Sequence, residues 1–388
     1  PLPRNGELGP VTSALFSDLD GDGWADLILT TEWGPVVYLH NDQGRGFTER
    51  SAAQGFTTTG LWSSVVSADF NHDGKPDYAV GNLGLNTPYL TGPVILFHGR
   101  FGDGGPPLLL EALQENNQLY PRRSRNELGA RISGLLRRFP RHNDYSRATL
   151  PEIVGADRLA KARRFEATEL RSGVYLSQPD GTHRFTALPW EVQLAPVQGL
   201  VALDLNGDGH PDLALLQNSH APTPSLGRFT GGLGVVLLND GHGGFRALDP
   251  QASGLIVPGD AKALVVTDLD GDGWPDLVAS RNDEPALAFR HRGVAGQRPL
   301  RIVLQGPPGN PTGIGARLTL TLADGTTRTA EVSAGSGYYS QSSPAAFFSH
   351  PTASPPRSLT VSWPAGSASQ HTIPANTNGS LTISRESR

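Results

Sequence analysis

The sequence predicts an all-β protein, a β-propeller followed by a small all-β domain, and three observations carry that prediction. A nine-residue acidic frame recurs four times, β-prone runs flank every copy, and 47 Gly with 32 Pro among 388 residues leave little room for long helices. Charged residues make up only 18% of the chain while aliphatic runs recur throughout, a balance that favours a packed core over disorder. The length allows two or three domains. Apolar runs such as Gly199-Leu200-Val201-Ala202-Leu203 are strand-sized, far short of the roughly 18 residues of a membrane-spanning helix. The absence of Cys excludes disulfides, thiolate metal sites and cysteine nucleophiles. The chain also lacks Met, so it is expected to be a processed, trimmed or incomplete product, with any targeting signal and further blades upstream.

The acidic frame is D-x-[DN]-x-D-G-x-x-D, and it begins at Asp18, Asp69, Asp204 and Asp268. Runs such as Ala263-Leu264-Val265-Val266 precede the loops and runs such as Leu213-Ala214-Leu215-Leu216 follow them, so each loop joins two strands. A second turn signal follows in Asn41-Asp42-Gln43-Gly44, Pro179-Asp180-Gly181-Thr182 and Asn239-Asp240-Gly241-His242, where Asn, Asp and Gly supply positive φ. Two hairpins per repeat make a four-stranded sheet. Small repeated sheets bury their faces by packing radially, which is a propeller.

The loops are spaced by 51, 135 and 64 residues, and the middle interval is too long for one blade. Within it Arg100-Phe101-Gly102-Asp103-Gly104-Gly105 follows the strand Val94-Ile95-Leu96-Phe97 and reads as a fifth loop without ligands, giving about five blades or part-blades. In the acidic frame Arg100 takes position 1, Gly102 position 3, Gly104 position 5 and Leu108 position 9, so the expectation is four cations and not five. The Arg100 guanidinium is expected to bond nearby carbonyls instead.

Residues 109–171 read as a helical insert within this third blade, with apolar spacings of three and four in Leu128–Leu136 and Glu152–Ala162. Pro121–Arg171 carries a net charge of +7 against −12 for the rest of the chain. Such a run reads as solvated helix faces, with a docking surface for an acidic partner as the alternative. No recognition motif accompanies the arginines, so nucleic acid is not an expected partner. The acidic loops stop near Gln297 or Arg298, which divides the chain into a propeller over 1–297 and an all-β domain over 298–388. Arg301–Leu304, Ala316–Leu322 and Ser358–Trp363 are strands of that domain.

Carboxylates at positions 1, 3, 5 and 9, with Gly at position 6 letting the chain double back, bring oxygens onto one point and suit a hard cation such as Ca²⁺. The candidate ligands are Asp18, Asp20, Asp22 and Asp26; Asp69, Asn71, Asp73 and Asp77; Asp204, Asn206, Asp208 and Asp212; and Asp268, Asp270, Asp272 and Asp276. Position 7 adds a backbone carbonyl from Trp24, Lys75, His210 or Trp274, which leaves its side chain free to vary. An EF-hand needs a bidentate Glu at position 12. That position holds Leu29, Val80, Leu215 and Ala279, so the EF-hand fails. The four loops hold 14 of the 37 acidic residues, and four Ca²⁺ move the formal charge from −5 to +3. Calcium in about four sites is therefore expected to clamp the hairpins. Two carboxylates fewer in total at Asn71 and Asn206 make those two loops the weaker ones.

These loops resemble the FG-GAP or VCBS repeats of integrin-α-type propellers. Gly309–Arg317, Gly335–Ser343 and Val361–Gly366 are similar to the ASPIC/UnbV domain that follows such repeats in the cartilage acidic protein family and its bacterial relatives. Phe347-Phe348-Ser349-His350 departs from the usual Phe-Gly segment. The resemblance implies a secreted, periplasmic or cell-surface Ca²⁺-binding interaction protein, read as a monomer that engages a protein or glycan. The alternative is a polysaccharide lyase or sugar dehydratase on a similar propeller. No nucleophile, zinc or nucleotide motif is present, and the 11 His are scattered, so no catalytic residue is assigned. Tyr338, Tyr339, Ser340 and Gln341 form a cluster suited to sugar contact, although packing within a strand is the favoured reading. A glycosylation sequon begins at Asn378.

Overall fold

The computed structural model describes residues 8–89, 93–220, 227–374, 377 and 379–385. Asn378 lies outside them. The described residues form seven sheets and only short helices, and no helix among them is long and apolar enough to cross a membrane.

The first sheet runs β1 (Val11–Ser17), β2 (Asp26–Pro35), β3 (Val37–Asn41) and β4 (Phe47–Glu49), with β5 (Thr59–Leu61) paired to β2. The second opens with the hairpin β6 (Ser64–Ala68) and β7 (Asp77–Gly81). The chain then leaves through β8 (Val94–Gly99), β9 (Leu108–Glu115) and β10 (Gln118–Pro121). Five short helices follow: α1 (Arg125–Gly129), α2 (Leu135–Arg138), α3 (His142–Arg147), α4 (Leu150–Val154) and α5 (Ala156–Ala160). The strand β11 (Arg163–Ala167) ends the excursion, and β12 (Gly173–Ser177) and β13 (His183–Ala187) complete the second sheet.

This topology corrects the expected third blade. Strand β7 pairs with β12, Tyr78 opposite Tyr175, so residues 82–172 are an insertion into the second sheet. The 100–108 loop belongs to a separate inserted sheet of order β10-β9-β8-β11. Strand, Gly-rich turn and strand gave it the rhythm of a blade, but β8 pairs only within the insert. Four sheets, not five, carry the repeat. The inserted region is also only partly helical, and its own core gathers Phe97, Leu110, Leu128, Tyr145, Leu150 and Ile153. Capping boxes at Ser124–Glu127 and Thr149–Glu152 start two of the helices. Arg131, Arg137, Arg141 and Arg147 are exposed, as a solvated helical face predicts.

The third loop-bearing sheet is β14 (Val197–Leu203), β15 (Asp212–Gln217), β16 (Val235–Asn239) and β17 (Phe245–Ala247). The fourth is β18 (Ala261–Thr267), β19 (Asp276–Arg281) and β20 (Glu284–Phe289). Their first strands are neighbours in succession: β1 beside β6, β6 beside β14, β14 beside β18. The second strands β7 and β15 are buried along their whole length, because adjacent sheets cover both faces, and between the buried Asp that opens each strand and its last residue every side chain is apolar or Tyr78 for that reason. A register irregularity recurs near the start of β1, β14 and β18, a structural echo of the sequence repeat.

The C-terminal region folds as two sheets. One is β24-β21-β27, from β21 (Gln297–Gln305), β24 (Ala345–Pro351) and β27 (Gly379–Ser384); the other is β23-β22-β25-β26, from β22 (Arg317–Leu322), β23 (Thr327–Glu331), β25 (Pro356–Trp363) and β26 (Ser367–Thr372). Alternation along β22 turns Leu318, Leu320 and Leu322 inward against Leu300, Ile302, Leu359 and Trp363. Between β23 and β24 the chain crosses the first strands of all four loop-bearing sheets. Phe16 N donates to Ala334 O (2.8 Å), Gly337 N to Val65 O (3.0 Å) and Ser343 N to Val266 O (2.9 Å), while Gly337 lies against the Leu200 backbone. Tyr338 and Tyr339 sit in this crossing segment and not in a strand, which corrects the expected packing role. Tyr339 has φ +47° and is 79% exposed.

Candidate metal centre

Each acidic loop links the first two strands of its sheet and is zipped by its own side chains. At position 1, Asp18 accepts from Gly21 N and Gly23 N (both 3.0 Å), Asp204 from Gly207 N (2.7 Å) and Gly209 N (3.0 Å), and Asp268 from Gly271 N (2.9 Å) and Gly273 N (3.2 Å). Asp69 accepts from Asp73 N (3.1 Å) and Gly74 N (3.0 Å). Positions 4 and 6 are left-handed in every loop, including the non-glycine His72 at φ +59°. Position 5 takes the N–H of position 7, as Asp22 does from Trp24, Asp73 from Lys75 and Asp208 from His210 (each 2.8 Å), and Asp272 from Trp274 (2.9 Å).

Position 9 ties the loop to the rest of its sheet. Asp26, Asp77, Asp212 and Asp276 are buried, and each accepts from the position-2 N–H of its own loop (Leu19, Phe70, Leu205, Leu269) at 2.7–3.1 Å. The other oxygen accepts from the backbone N–H of Asn41, Ser177, Asn239 or His291, on or just past a neighbouring strand, at 2.7–2.9 Å. Burial pushes the Asp26 and Asp212 carboxyls up to about 7 and that of Asp77 to about 6. It also raises Asp18, Asp69 and Asp204. These carboxylates sit where negative charge is costly without a counter-ion.

The four loops are not equivalent. Asp18, Asp20 and Asp26 each bring an oxygen within 4.8 Å of the others, and Asp268, Asp270 and Asp276 do the same. Asp22 groups instead with Asp20 and His40. In the other two loops no such trio of His or acidic ligands gathers among the described residues. There position 3 is Asn71 or Asn206, and position 5 is already engaged: Ser177 Oγ donates to Asp73 Oδ2 (2.7 Å) and Asn206 Nδ2 to Asp208 Oδ2 (2.8 Å).

Three of the four position-7 side chains make contacts of their own, which the reading of that position as a carbonyl ligand did not anticipate. Trp274 stacks on His291 with ring centroids 4.7 Å apart, and His210 Nδ1 lies 2.9 Å from His72 Nε2, joining two loops. Trp24 packs over Gly44, while Lys75 is exposed. The sequence reading also missed basic groups beside the loops. His40 Nδ1 is 2.9 Å from Asp20 Oδ2, Arg290 pairs with Asp270, Arg317 donates to Gly74 O, and Arg328 Nη1 is 3.5 Å from Asp204 Oδ2. From the same C-terminal domain Glu331 accepts from Asp18 N (2.8 Å) and Ser17 Oγ (2.7 Å), and Ser349 Oγ donates to Asp204 Oδ2 (2.6 Å). No local pattern in the chain signals these partners. Arg100 Nη1 donates to Gly105 O (3.1 Å), so its guanidinium does bond a carbonyl of its own hairpin.

Comparison with known proteins adds family matches. Residues 18–80 and 204–279 match the FG-GAP-like repeat, and residues 306–388 match ASPIC and UnbV. No curated protein matches the chain. Among solved structures, the biofilm matrix protein Bap1 of V. cholerae aligns over 93% of this chain and 48% of its own, at 11% identity and a TM-score of 0.23. The chain thus spans about half the length of that protein.

Proposed function

Since the chain carries FG-GAP-like repeats and a C-terminal ASPIC and UnbV domain, we propose that it is a calcium-binding β-propeller that acts outside the cytoplasm as an interaction or adhesion module for a protein or glycan. The observation that carries this reading is the convergence of three carboxylate oxygens in the Asp18 loop and again in the Asp268 loop. Oxygen-only donor sets of that kind suit a hard divalent cation, and glycine-shaped loops tolerate its irregular coordination. The residues that would hold Ca²⁺ are the side chains at positions 1, 3, 5 and 9 with the carbonyl at position 7. Bound there, the cation would offset carboxylate repulsion and clamp the hairpin. The succession of β1, β6, β14 and β18 as neighbours is what radial packing of sheets produces.

The test is thermal unfolding with and without calcium. At 100 times the dissociation constant, one site stabilises the native state by about 2.7 kcal/mol. Chelation is expected to lower the melting temperature and Ca²⁺ to restore it. An unchanged curve after verified metal removal rejects the reading.

A further inference from the structure

Two histidines from different acidic loops meet where the second and third loop-bearing sheets adjoin. His72 Nε2 lies 2.9 Å from His210 Nδ1, and the ring centroids are 4.4 Å apart with the ring planes inclined by 49°. His72 is exposed and His210 half-buried, so solvent reaches the pair. We propose that the two imidazoles form a chelating site for a divalent transition-metal ion such as Cu²⁺, which would link the two sheets.

The ring geometry is closer to a chelate than to a straight hydrogen bond. Two imidazoles bonded head-on at this nitrogen separation hold their centroids roughly 5.2 Å apart. At 4.4 Å the rings are not head-on, and a hydrogen bond bent in this way is weaker than a straight one. Two imidazole nitrogens in cis positions on one metal, each at about 2.0–2.1 Å, stand roughly 2.9 Å apart and place their centroids roughly 4.5 Å apart. The pair matches both distances. Cis right angles belong to the tetragonal coordination of Cu²⁺ or Ni²⁺, whereas Ca²⁺ takes oxygen ligands. With a metal bound, each ring keeps its proton on the far nitrogen, His72 on Nδ1 and His210 on Nε2. No third His, Asp or Glu atom joins the two within 4.8 Å among the described residues, so water would complete the coordination.

The backbone presents both rings at a cost that the other loops avoid. At position 4 those loops have Gly21, Gly207 and Gly271, the residue a left-handed φ favours, whereas the Asp69 loop carries His72 at φ +59°. This one departure supplies the side chain that meets His210, and backbone strain of this kind gathers at ligand sites. His210 lies against the bare Cα of Gly241, at φ +77°, where a Cβ would come within 2.5–3.0 Å of its ring atoms. The turn that holds Gly241 is tied to the Asp69 loop: Asn239 Nδ2 and Gly243 N both donate to Phe70 O at 3.0 Å, two residues before His72. The loops that carry the rings are thus already joined, which leaves a metal little to order. The inference does not rest on the calcium reading, because the ring nitrogens are not among the ligands of the cages.

The full chain should be titrated with Cu²⁺ in excess calcium, against a competing chromogenic chelator. The site variants are His72→Asn, since Asn tolerates a left-handed φ, and His210→Gln, which keeps the position-7 carbonyl; His142→Gln, in the insertion, is the control. The expected result is one tightly bound Cu²⁺ per chain, with electron paramagnetic resonance splitting from two imidazole nitrogens. Affinity is expected to fall at least about tenfold in each site variant and to stay unchanged in the control. Copper-soaked wild-type crystals give a readout that needs no variant: an anomalous peak at the copper edge, bonded to His72 Nε2 and His210 Nδ1, supports the site. Tightest copper binding that is equal in both folded site variants, splitting from fewer than two imidazoles, or copper peaks elsewhere with the pair empty overturns it.

Discussion

At position 9 of each loop one buried carboxylate satisfies two backbone donors that belong to different strands, and this makes it the least replaceable member of the frame. Asp212 holds Leu205 N and Asn239 N, both at 2.9 Å. Asp212→Ala leaves both N–H groups buried and unpaired, at about 1–3 kcal/mol each. The variant is therefore expected to lose several kcal/mol in urea denaturation even in chelator, where calcium plays no part; wild-type stability there would contradict this role. Gly209→Ala tests the neighbouring contact, where a Cβ would collide with the Arg328 guanidinium. The strained φ and the displaced Arg328 are expected to cost about 1–3 kcal/mol together, and thermal unfolding in chelator measures it. The frame itself was legible in the sequence because its residues and the bonds within the loop fall inside nine positions. His40, Arg328 and Glu331 were not, because they reach the loops through tertiary contacts, Glu331 from 313 residues away.

The second sheet shows where element-level reading fails and why. Strands and turns between Val94 and Leu108 follow the local rules of a blade, and local rules do not reveal which strand becomes whose neighbour. The pairing of β7 with β12, from Val80 opposite Gly173 to Tyr78 opposite Tyr175, identifies residues 82–172 as an insertion. Since the two ends meet as adjacent antiparallel strands, a short turn can join them. Replacing residues 84–170 by a four-residue Gly-containing turn is expected to leave a cooperatively folded protein that still melts higher with calcium. Loss of a cooperative transition would mean that packing of β11 against β2 and β5 is essential to the body. The strands of the C-terminal sheets were easier to foresee, because alternation along β22 and β25 displays their buried faces directly.

For the molecule as a whole, the segment from Ser333 to Ser343 makes one unit of two domains, by bonding to β1, β6 and β18 and packing on β14. Calorimetry of the calcium-loaded chain is expected to show a single transition, and replacement of residues 335–342 by a shorter Gly-Ser linker is expected to split it in two. Two transitions in the unaltered chain would contradict the coupling. The central claim is that the acidic loops are cation cages, and the most direct measurement is anomalous scattering at long wavelength from crystals grown in calcium. The account predicts four peaks, centred on the loops that begin at Asp18, Asp69, Asp204 and Asp268, with the first and last filling at the lowest calcium and none near Arg100. Calcium-saturated crystals without peaks in the Asp18 and Asp268 loops, or with a cation centred on residues 100–108, would contradict it.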